Sequence, residues 1–265
     1  RMRSKKLITF LNNPEKAKIF DNKNKFDEVF KEFIDRDFLD ALNCDLDEAI
    51  RFYNENEVGF GKMLDLSCGK GAEIIRMSEA FYDYIKEKGF GVVEEYLINH
   101  DKIREVYEPA LNTMRMITII GDDNEPHLFF AAQKFGVNGR FIDVHGIHAP
   151  IDLETGIVHF PFHSGNTDTD LIYTKHPDTG YDLTNYEVPM FKEAKEMILR
   201  AAMKVPEMRY VGWDVAVTNK GPKIVEGNDY TAYDYMQLPY QNPSRIGVIP
   251  DILKLVPSFK DELYK

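Results

Sequence analysis

Residues 212–228, Gly212-Trp213-Asp214-Val215-Ala216-Val217-Thr218-Asn219-Lys220-Gly221-Pro222-Lys223-Ile224-Val225-Glu226-Gly227-Asn228, read as two β-strands closed by a tight turn. Gly212–Thr218 forms the first strand, Asn219-Lys220-Gly221 the turn and Lys223–Glu226 the second strand. Strand side chains alternate between two faces, so Glu226 and Asn228 share one, and the hairpin brings Asp214 opposite them. Three oxygen donors on neighbouring strands suit Mg²⁺, which takes a few carboxylates and completes its octahedron with water and phosphate oxygens. The alternative is a hairpin with solvated acids. It fits less well with a glutamate that follows the apolar pair Ile224-Val225 and precedes a glycine.

Strands and helices surround this hairpin without strict alternation. Thr113–Ile120 and Leu128–Phe135 are β-prone, and Pro189–Met203 is an amphipathic helix with Ala194, Met197, Ile198 and Ala201 inward. The stretch 136–184 is rich in Gly, His, Asp and Thr and reads as short strands and turns. Towards the N-terminus, residues 14–57 read as helical. Phe26, Val29, Phe30, Phe33 and Ile34 form one stripe, and Asp45 is placed to cap a helix over Asp45–Asn54. Val58–Leu66 and Ala72–Met77 read as strands, Ser78–Lys88 as a helix stopped by Gly89, and Val92–Leu97 as a strand carrying the acidic pair Glu94-Glu95. The fold class expected is α+β.

Between the first two of those strands lies Ser67-Cys68-Gly69-Lys70-Gly71, preceded by Gly59-Phe60-Gly61-Lys62. Glycines at a hairpin let backbone N–H groups approach an anion closely, and Lys62 and Lys70 add positive charge. This is not a Walker A loop, which needs G-x4-G-K-[ST] opening a helix. A plain hairpin turn with surface lysines is the competing reading.

Composition narrows the partners. The 265 residues are 43% hydrophobic and 29% charged, and 33 Lys+Arg against 44 Asp+Glu leave a net charge of −11. The pI is near 5.2. That length predicts between one and two domains. A negative field repels phosphate backbones and anionic lipid, which argues against a nucleic-acid partner or a membrane surface. No apolar run is long enough for membrane insertion. Two cysteines, Cys44 and Cys68, suit a reducing cytosol, so a cytoplasmic location is expected. Arg1 ahead of Met2 points to a trimmed or engineered start with upstream sequence missing. Oligomeric state is open, and an oligomer is compatible with the sequence.

A glycine-rich hairpin followed by a D…E-x-N hairpin resembles the ATP-grasp superfamily, most closely its sugar-transfer-associated branch, related to α-L-glutamate ligases. The resemblance runs through Asp21-Asn22-Lys23, Lys62 with Ser67–Gly71, Val93–Leu97, His100, Pro109–Arg115, His176–Gly180, Gly212–Ala216 and Gly221–Asn228. It implies two lobes, residues 1–97 and 98–265, clasping one ATP. Lys23 and Lys62 would contact the nucleotide. Ser67, Cys68, Gly69, Lys70 and Gly71 would cover its β- and γ-phosphates. Glu94, Glu95, Tyr96 and Leu97 would form the hinge at adenine and ribose, with His100 as a further ligand contact. Asp214, Glu226 and Asn228 would hold one or two Mg²⁺ ions, or Mn²⁺, and Arg115 would neutralise the transferring phosphoryl group or an acyl phosphate. Met63 stands where the family often has proline.

The reaction implied is ATP-dependent carboxylate–amine ligation through an acyl phosphate, on small-molecule acid and amine substrates. The family's name adds a sugar acid or amino acid linked to cell-surface polysaccharide. A kinase built on the same clasp and a non-catalytic nucleotide-binding module are the alternatives. Many relatives carry a substrate-binding domain before the first lysine. Here that role falls to missing upstream sequence or to the C-terminal lobe. Two histidine pairs, His145/His148 and His159/His163, have short spacings but no Cys cluster or His-Glu-x-x-His pattern to support zinc. His176 opens a turn, and Tyr230, Tyr233, Tyr235 and Tyr240 wall either a substrate pocket or the core.

Overall fold

The aromatic stripe near the N-terminus and the strands two hundred residues later belong to one core. The computed structural model describes residues 2–63, 71–143, 146–159, 162–163, 173–231, 236 and 246–263. In chain order the elements are α1 (Met2–Leu11), α2 (Pro14–Asp21), α3 (Lys23–Val29), α4 (Lys31–Ile34), β1 (Phe38–Asp40), α5 (Leu46–Glu55), β2 (Val58–Lys62), β3 (Glu73–Arg76), α6 (Phe81–Lys88), β4 (Val92–Glu95) and α7 (Asp101–Val106). They continue with β5 (Thr113–Ile120), β6 (Pro126–Phe135), β7 (Ile147–Pro150), β8 (Phe162–His163), α8 (Phe191–Ala202), β9 (Tyr210–Thr218), β10 (Gly221–Asn228), α9 (Ile249–Leu255), a 3₁₀ turn (Pro257–Phe259) and α10 (Lys260–Leu263).

Two antiparallel sheets result, β1-β4-β2-β3 and β10-β9-β5-β6-β7-β8. The small sheet buries one face under α5 and α6, in a core that includes Phe52, Ile75, Phe81, Ile85, Phe90 and Val93. One face of the large sheet packs Met114, Met116, Trp213, Val215 and Ile224 against α8 and against Phe20, Phe26, Phe30, Phe33 and Ile34. Its other face is half covered. Ile117, Ile119, Phe130 and Tyr210 lie beneath Leu7, Ile8 and Leu11 of α1 and Ile252, Val256 and Phe259 near the C-terminus. Beyond that cover β5, β6, β9 and β10 carry Arg115, Lys134, Asp214 and Glu226, and the candidate site begins there.

Several elements match the sequence reading closely. β5 spans the expected residues, and Asp45 caps α5 in a full capping box with Glu48. α6 ends at Gly89, which takes the left-handed conformation (φ 70°). Three points differ. Residues 14–57 are not continuously helical. α4 stops at Asp35 (φ 42°), and Phe38–Asp40 is a strand paired with β4. The aromatic stripe is split between α3 and α4, and Val29, where α3 ends, is left exposed. Finally, the helices that precede β1 pack away from the small sheet. α1–α4 lie on the large sheet, because Trp213 and its neighbours are the apolar partner their aromatic face requires. The small-sheet unit therefore begins near Phe38.

Candidate active site

β2 reads Val58-Gly59-Phe60-Gly61-Lys62 because its two faces meet different neighbours. A Cβ on Gly59 would lie 2.8 Å from a Val93 methyl, and one on Gly61 2.9 Å from Ile75 and Phe90, in the packed core of the small sheet. Phe60 and Lys62 face the other way, into a cavity of about 240 Å³ between the two sheets. Glu94, opposite Phe60 on β4, shares that face. The rings of Tyr96 and Phe141 lie 6.4 and 6.2 Å from that of Phe60, and with Leu111 and Met63 they make an apolar wall suited to a flat aromatic base.

Glu94 is buried, and both its oxygens are engaged. Lys62 Nζ sits 2.6 Å from Oε2 and Arg36 Nη2 2.9 Å from Oε1. Burial alone would raise its pKa, but the Arg36 and Lys62 charges overcome that and hold it at about 2. Through these contacts Glu94 clamps Lys62 in place at the cavity wall. Asp27 lies behind Arg36, and burial together with the Glu94 charge raises its pKa to about 7.

The opposite wall is charged. Arg115 grips Asp214 with two bonds, Nε to Oδ1 (2.9 Å) and Nη2 to Oδ2 (3.1 Å), and its Nη1 donates to Thr231 Oγ1 (3.0 Å). Lys134 Nζ lies 3.1 Å from Asp214 and 3.3 Å from Asp143. The second Asp143 oxygen accepts from the backbone and hydroxyl of Thr113, both at 2.7 Å. Burial opposes the Lys134 charge, yet Asp143 and Asp214 raise its pKa. Burial likewise works against the Asp214 charge, but Arg115 and Lys134 hold its carboxyl far below the usual range.

Register places Glu226 directly opposite Asp214, and Asn228 opposite Gly212. Solvent reaches part of the Glu226 side chain. The protein packed around its carboxyl and the Asp214 charge beside it nevertheless both raise its proton affinity. Asn228 Nδ2 donates to Glu226 Oε1 (3.4 Å) and to the Gly212 carbonyl (3.3 Å). Two carboxylates that repel one another, beside an amide oxygen, fit a hard divalent cation that takes further oxygens from phosphate. Among the described residues no group of three or more His, Cys, Asp or Glu side chains could hold a metal. The set here is two carboxylates and one amide.

The structure thus brings Lys23, Lys62, Glu94, Glu95, Tyr96, Leu97, Arg115, Asp214, Glu226 and Asn228 to one cavity. Ser67, Cys68, Gly69 and Lys70 lie outside the described residues, and Gly71 begins the return to β3 with φ 67°. His100 is not at the cavity. It caps α7, its Nδ1 accepting from Lys102 N (3.2 Å), and lines a separate groove. His176 is structural: buried, its Nε2 donates to the Gly136 carbonyl (2.8 Å), its Nδ1 accepts from the Asp178 backbone (3.3 Å), and its ring stacks on Tyr107. His159 lies at the surface, 3.9 Å from Asp152. His145, Tyr233, Tyr235 and Tyr240 are outside the described residues, and Tyr230 is exposed. Sequence reasoning missed Arg36, Lys134 and Asp143. Lys134 carried a signal, a single lysine in the run Phe129-Phe130-Ala131-Ala132-Gln133-Lys134-Phe135. Arg36 and Asp143 lie in irregular stretches and carried none.

A model of the sugar-transfer associated ATP-grasp family matches residues 68–246, about two thirds of the chain. The chain belongs to this ATP-grasp family. Among solved structures it is similar to the ATP-grasp ligase PsnB complexed with minimal precursor (TM-score 0.51, 14% identity, 86% of this chain and 58% of that one). It is also similar to the biotin carboxylase domain of the Hydrogenobacter thermophilus 2-oxoglutarate carboxylase, complexed with MgADP, ADP and bicarbonate (0.54, 14%, 85% and 43%). A third is the D-alanine-D-alanine ligase of Coxiella burnetii (0.53, 10%, 92% and 58%). At these identities the likeness establishes the ATP-grasp fold. The chain spans about three fifths or less of the length of each of these three. No curated protein matches the sequence. Among the described residues, no helix is long and apolar enough to cross a membrane.

Proposed function

We propose that this ATP-grasp chain is an ATP-dependent ligase that joins a carboxylate to an amine. The observation that carries the reading is the pairing of two walls across one cavity, Lys62 held by Glu94 on one sheet and Arg115, Lys134, Asp214 and Glu226 on the other. Phosphoryl transfer needs in-line positioning and charge neutralisation more than a protein nucleophile, and this cavity supplies cations without one.

The apolar wall of Phe60, Tyr96 and Phe141 would seat adenine, with Lys23 and Lys62 toward the phosphates. Asp214, Glu226 and Asn228 would hold one or two Mg²⁺ ions, which when bound neutralise phosphate charge. An oxygen of the substrate carboxylate attacks the γ-phosphorus, the bond to the ADP oxygen breaks, and an acyl phosphate forms. Arg115 and Lys134 stabilise the charge on that phosphate. The amine then attacks the acyl carbon, inorganic phosphate leaves, and the amine nitrogen gives up a proton. We take the small sheet and the large sheet as the two halves of the clasp. For the acid we favour a sugar acid or an amino acid, as the family description suggests.

Measuring ADP release against a panel of amino acids and uronic acids, with and without amines, tests this. Ligation requires ADP release that depends on both acid and amine, and Glu226→Gln abolishes it while leaving the fold intact. A stable phosphorylated acceptor without amine means a kinase instead. Wild type that never turns ATP over, or a Gln variant that turns it over equally well, refutes the reading.

A further inference from the structure

β10 does not run straight past β9. Ile224 pairs with Val215, yet Glu226 pairs with Asp214, so Val225 is an extra residue, a β-bulge. Continued without the bulge, the register would set Glu226 opposite Trp213, which is 1% exposed and packed against Phe20, Phe26 and Phe30. A one-residue slip moves a strand's side chains to the other face. The bulge is therefore what delivers Glu226 to the Asp214 side and leaves Gly227 facing the aromatics. There a Cβ would lie 2.7 Å from Phe26 and 2.8 Å from Phe20.

A bulge disrupts the ladder and needs partners for its backbone. Arg36 supplies them. Its Nη1 donates to the Ile224 carbonyl (2.5 Å) and its Nη2 to the Val225 carbonyl (3.2 Å). The same guanidinium contacts Glu94 (2.9 Å) and faces Asp27 (3.9 Å), with its side chain only 1% exposed. The left-handed turn at Asp35 aims this arginine. Lys223, one residue before Ile224, secures the turn through the Asp35 carbonyl and carboxylate.

We propose that Arg36 is a positioning residue of the nucleotide site. It fixes the Val225 bulge, and so holds Glu226 on the cation face, while tying that strand to the Glu94 clamp of the other sheet. This rests on the ATP·Mg²⁺ reading above. A lysine cannot take its place, because a single ammonium lacks the planar fork that meets two carbonyls and a carboxylate together.

The test measures the Mg²⁺ concentration for half-maximal binding of a non-hydrolysable ATP analogue by calorimetry, in wild type, Arg36→Lys, Glu226→Gln and the double variant. Arg36→Lys is expected to raise that concentration by about tenfold or more, as supporting residues behind metal ligands do. In the Glu226→Gln background the same change is expected to add clearly less than in wild type, since the Mg²⁺ part of its effect runs through Glu226 and only the Glu94 tie remains. An unchanged Mg²⁺ dependence in Arg36→Lys, or an equal penalty in both backgrounds, overturns the inference. Should Arg36→Lys fail to fold, Asp27→Asn takes its place. Measured at about pH 8.5, where Asp27 is ionised, it removes the anion behind Arg36 and is expected to raise the half-saturating Mg²⁺ in the same direction, and no change overturns the inference. Wild type that does not bind the analogue with Mg²⁺ at all refutes the functional reading itself, a distinct result.

Discussion

Replacing Lys134 with methionine probes the charged wall most directly. Lys134 stands between two carboxylates, 3.1 Å from Asp214 and 3.3 Å from Asp143, and its side chain is 9% exposed. At an effective dielectric of about 20, one such contact is worth about 5 kcal/mol of Coulomb energy before desolvation is counted. Removing one partner of a buried pair costs about 3–5 kcal/mol, because the other charge stays buried and uncompensated. Here Asp214 keeps its two-bond grip from Arg115 and Asp143 keeps the Thr113 donors, so the lower end, about 3 kcal/mol, is expected. For a chain of this size that is a fall in Tm of roughly 6–12 °C. The loss also depends on pH. The Asp214 pKa is depressed in the folded protein, so its stabilisation is present above its unfolded value of about 3.8 and disappears as pH falls through the folded one. Without Lys134 that depression shrinks, so the deficit of the variant is full at pH 7 and narrows in acid. Urea denaturation followed by circular dichroism between pH 7 and pH 2, with the deficit constant down to about pH 4 and narrowing only below it, measures both effects. A variant within about 0.5 kcal/mol of wild type at pH 7, the range of an ordinary surface substitution, would refute the buried-network reasoning.

Three further outcomes are expected. Glu226→Gln removes a carboxylate that the protein packed around it and the Asp214 charge already push toward protonation, so its Tm stays equal to wild type or rises while Mg²⁺-dependent turnover is lost. Differential scanning calorimetry beside an ADP-release assay reads both. Gly227→Ala forces a methyl against Phe26 and Phe20 and is expected to cost about 1–3 kcal/mol in chemical denaturation. His176 is buried and its pKa is lowered chiefly by that burial, so folding holds it neutral. Its contribution is complete above its unfolded value of about 6.5 and falls with further acidification by at most about 1.4 kcal/mol per pH unit, a slope that His176→Gln should flatten.

What the sequence disclosed depended on whether local pattern or distant packing decides each element. The β9–β10 hairpin was legible as two strands and a turn. The turn, however, is the two residues Asn219-Lys220, and the expected Asp214–Glu226 pairing holds because the Val225 bulge restores the register that a three-residue turn would have given. α5 and α6 were legible because Asp45 and Gly89 punctuate them. β1 was not legible. Its three residues have no periodicity of their own and become a strand only by pairing with β4, more than fifty residues later. The Val225 bulge was hidden for the same reason, since an extra residue shows only against a partner strand. The ion pairs of Glu94 were not legible, because Arg36 comes from an irregular stretch and meets it only in the folded chain. Most of the residues that the family resemblance singled out line one cavity, but Lys134 and Asp143 emerged only once β5, β6 and the loop after β6 came together.

The packing of α1–α4 on the large sheet bears on how the chain acquires its structure. Asn12 donates to the Tyr210 carbonyl and Arg36 to that of Ile224, contacts that span 198 and 188 residues of sequence. Helices α2–α4 are synthesised well before β9 and β10, yet their aromatic face has no complete partner until those strands are made. The small sheet closes within residues 38–95 and can form earlier on its own contacts. Assembly should therefore run from the inserted unit outward. Docking of α2–α4 would come last as a high-contact-order step, and their exposed phenylalanines would be the segment most in need of shielding during synthesis.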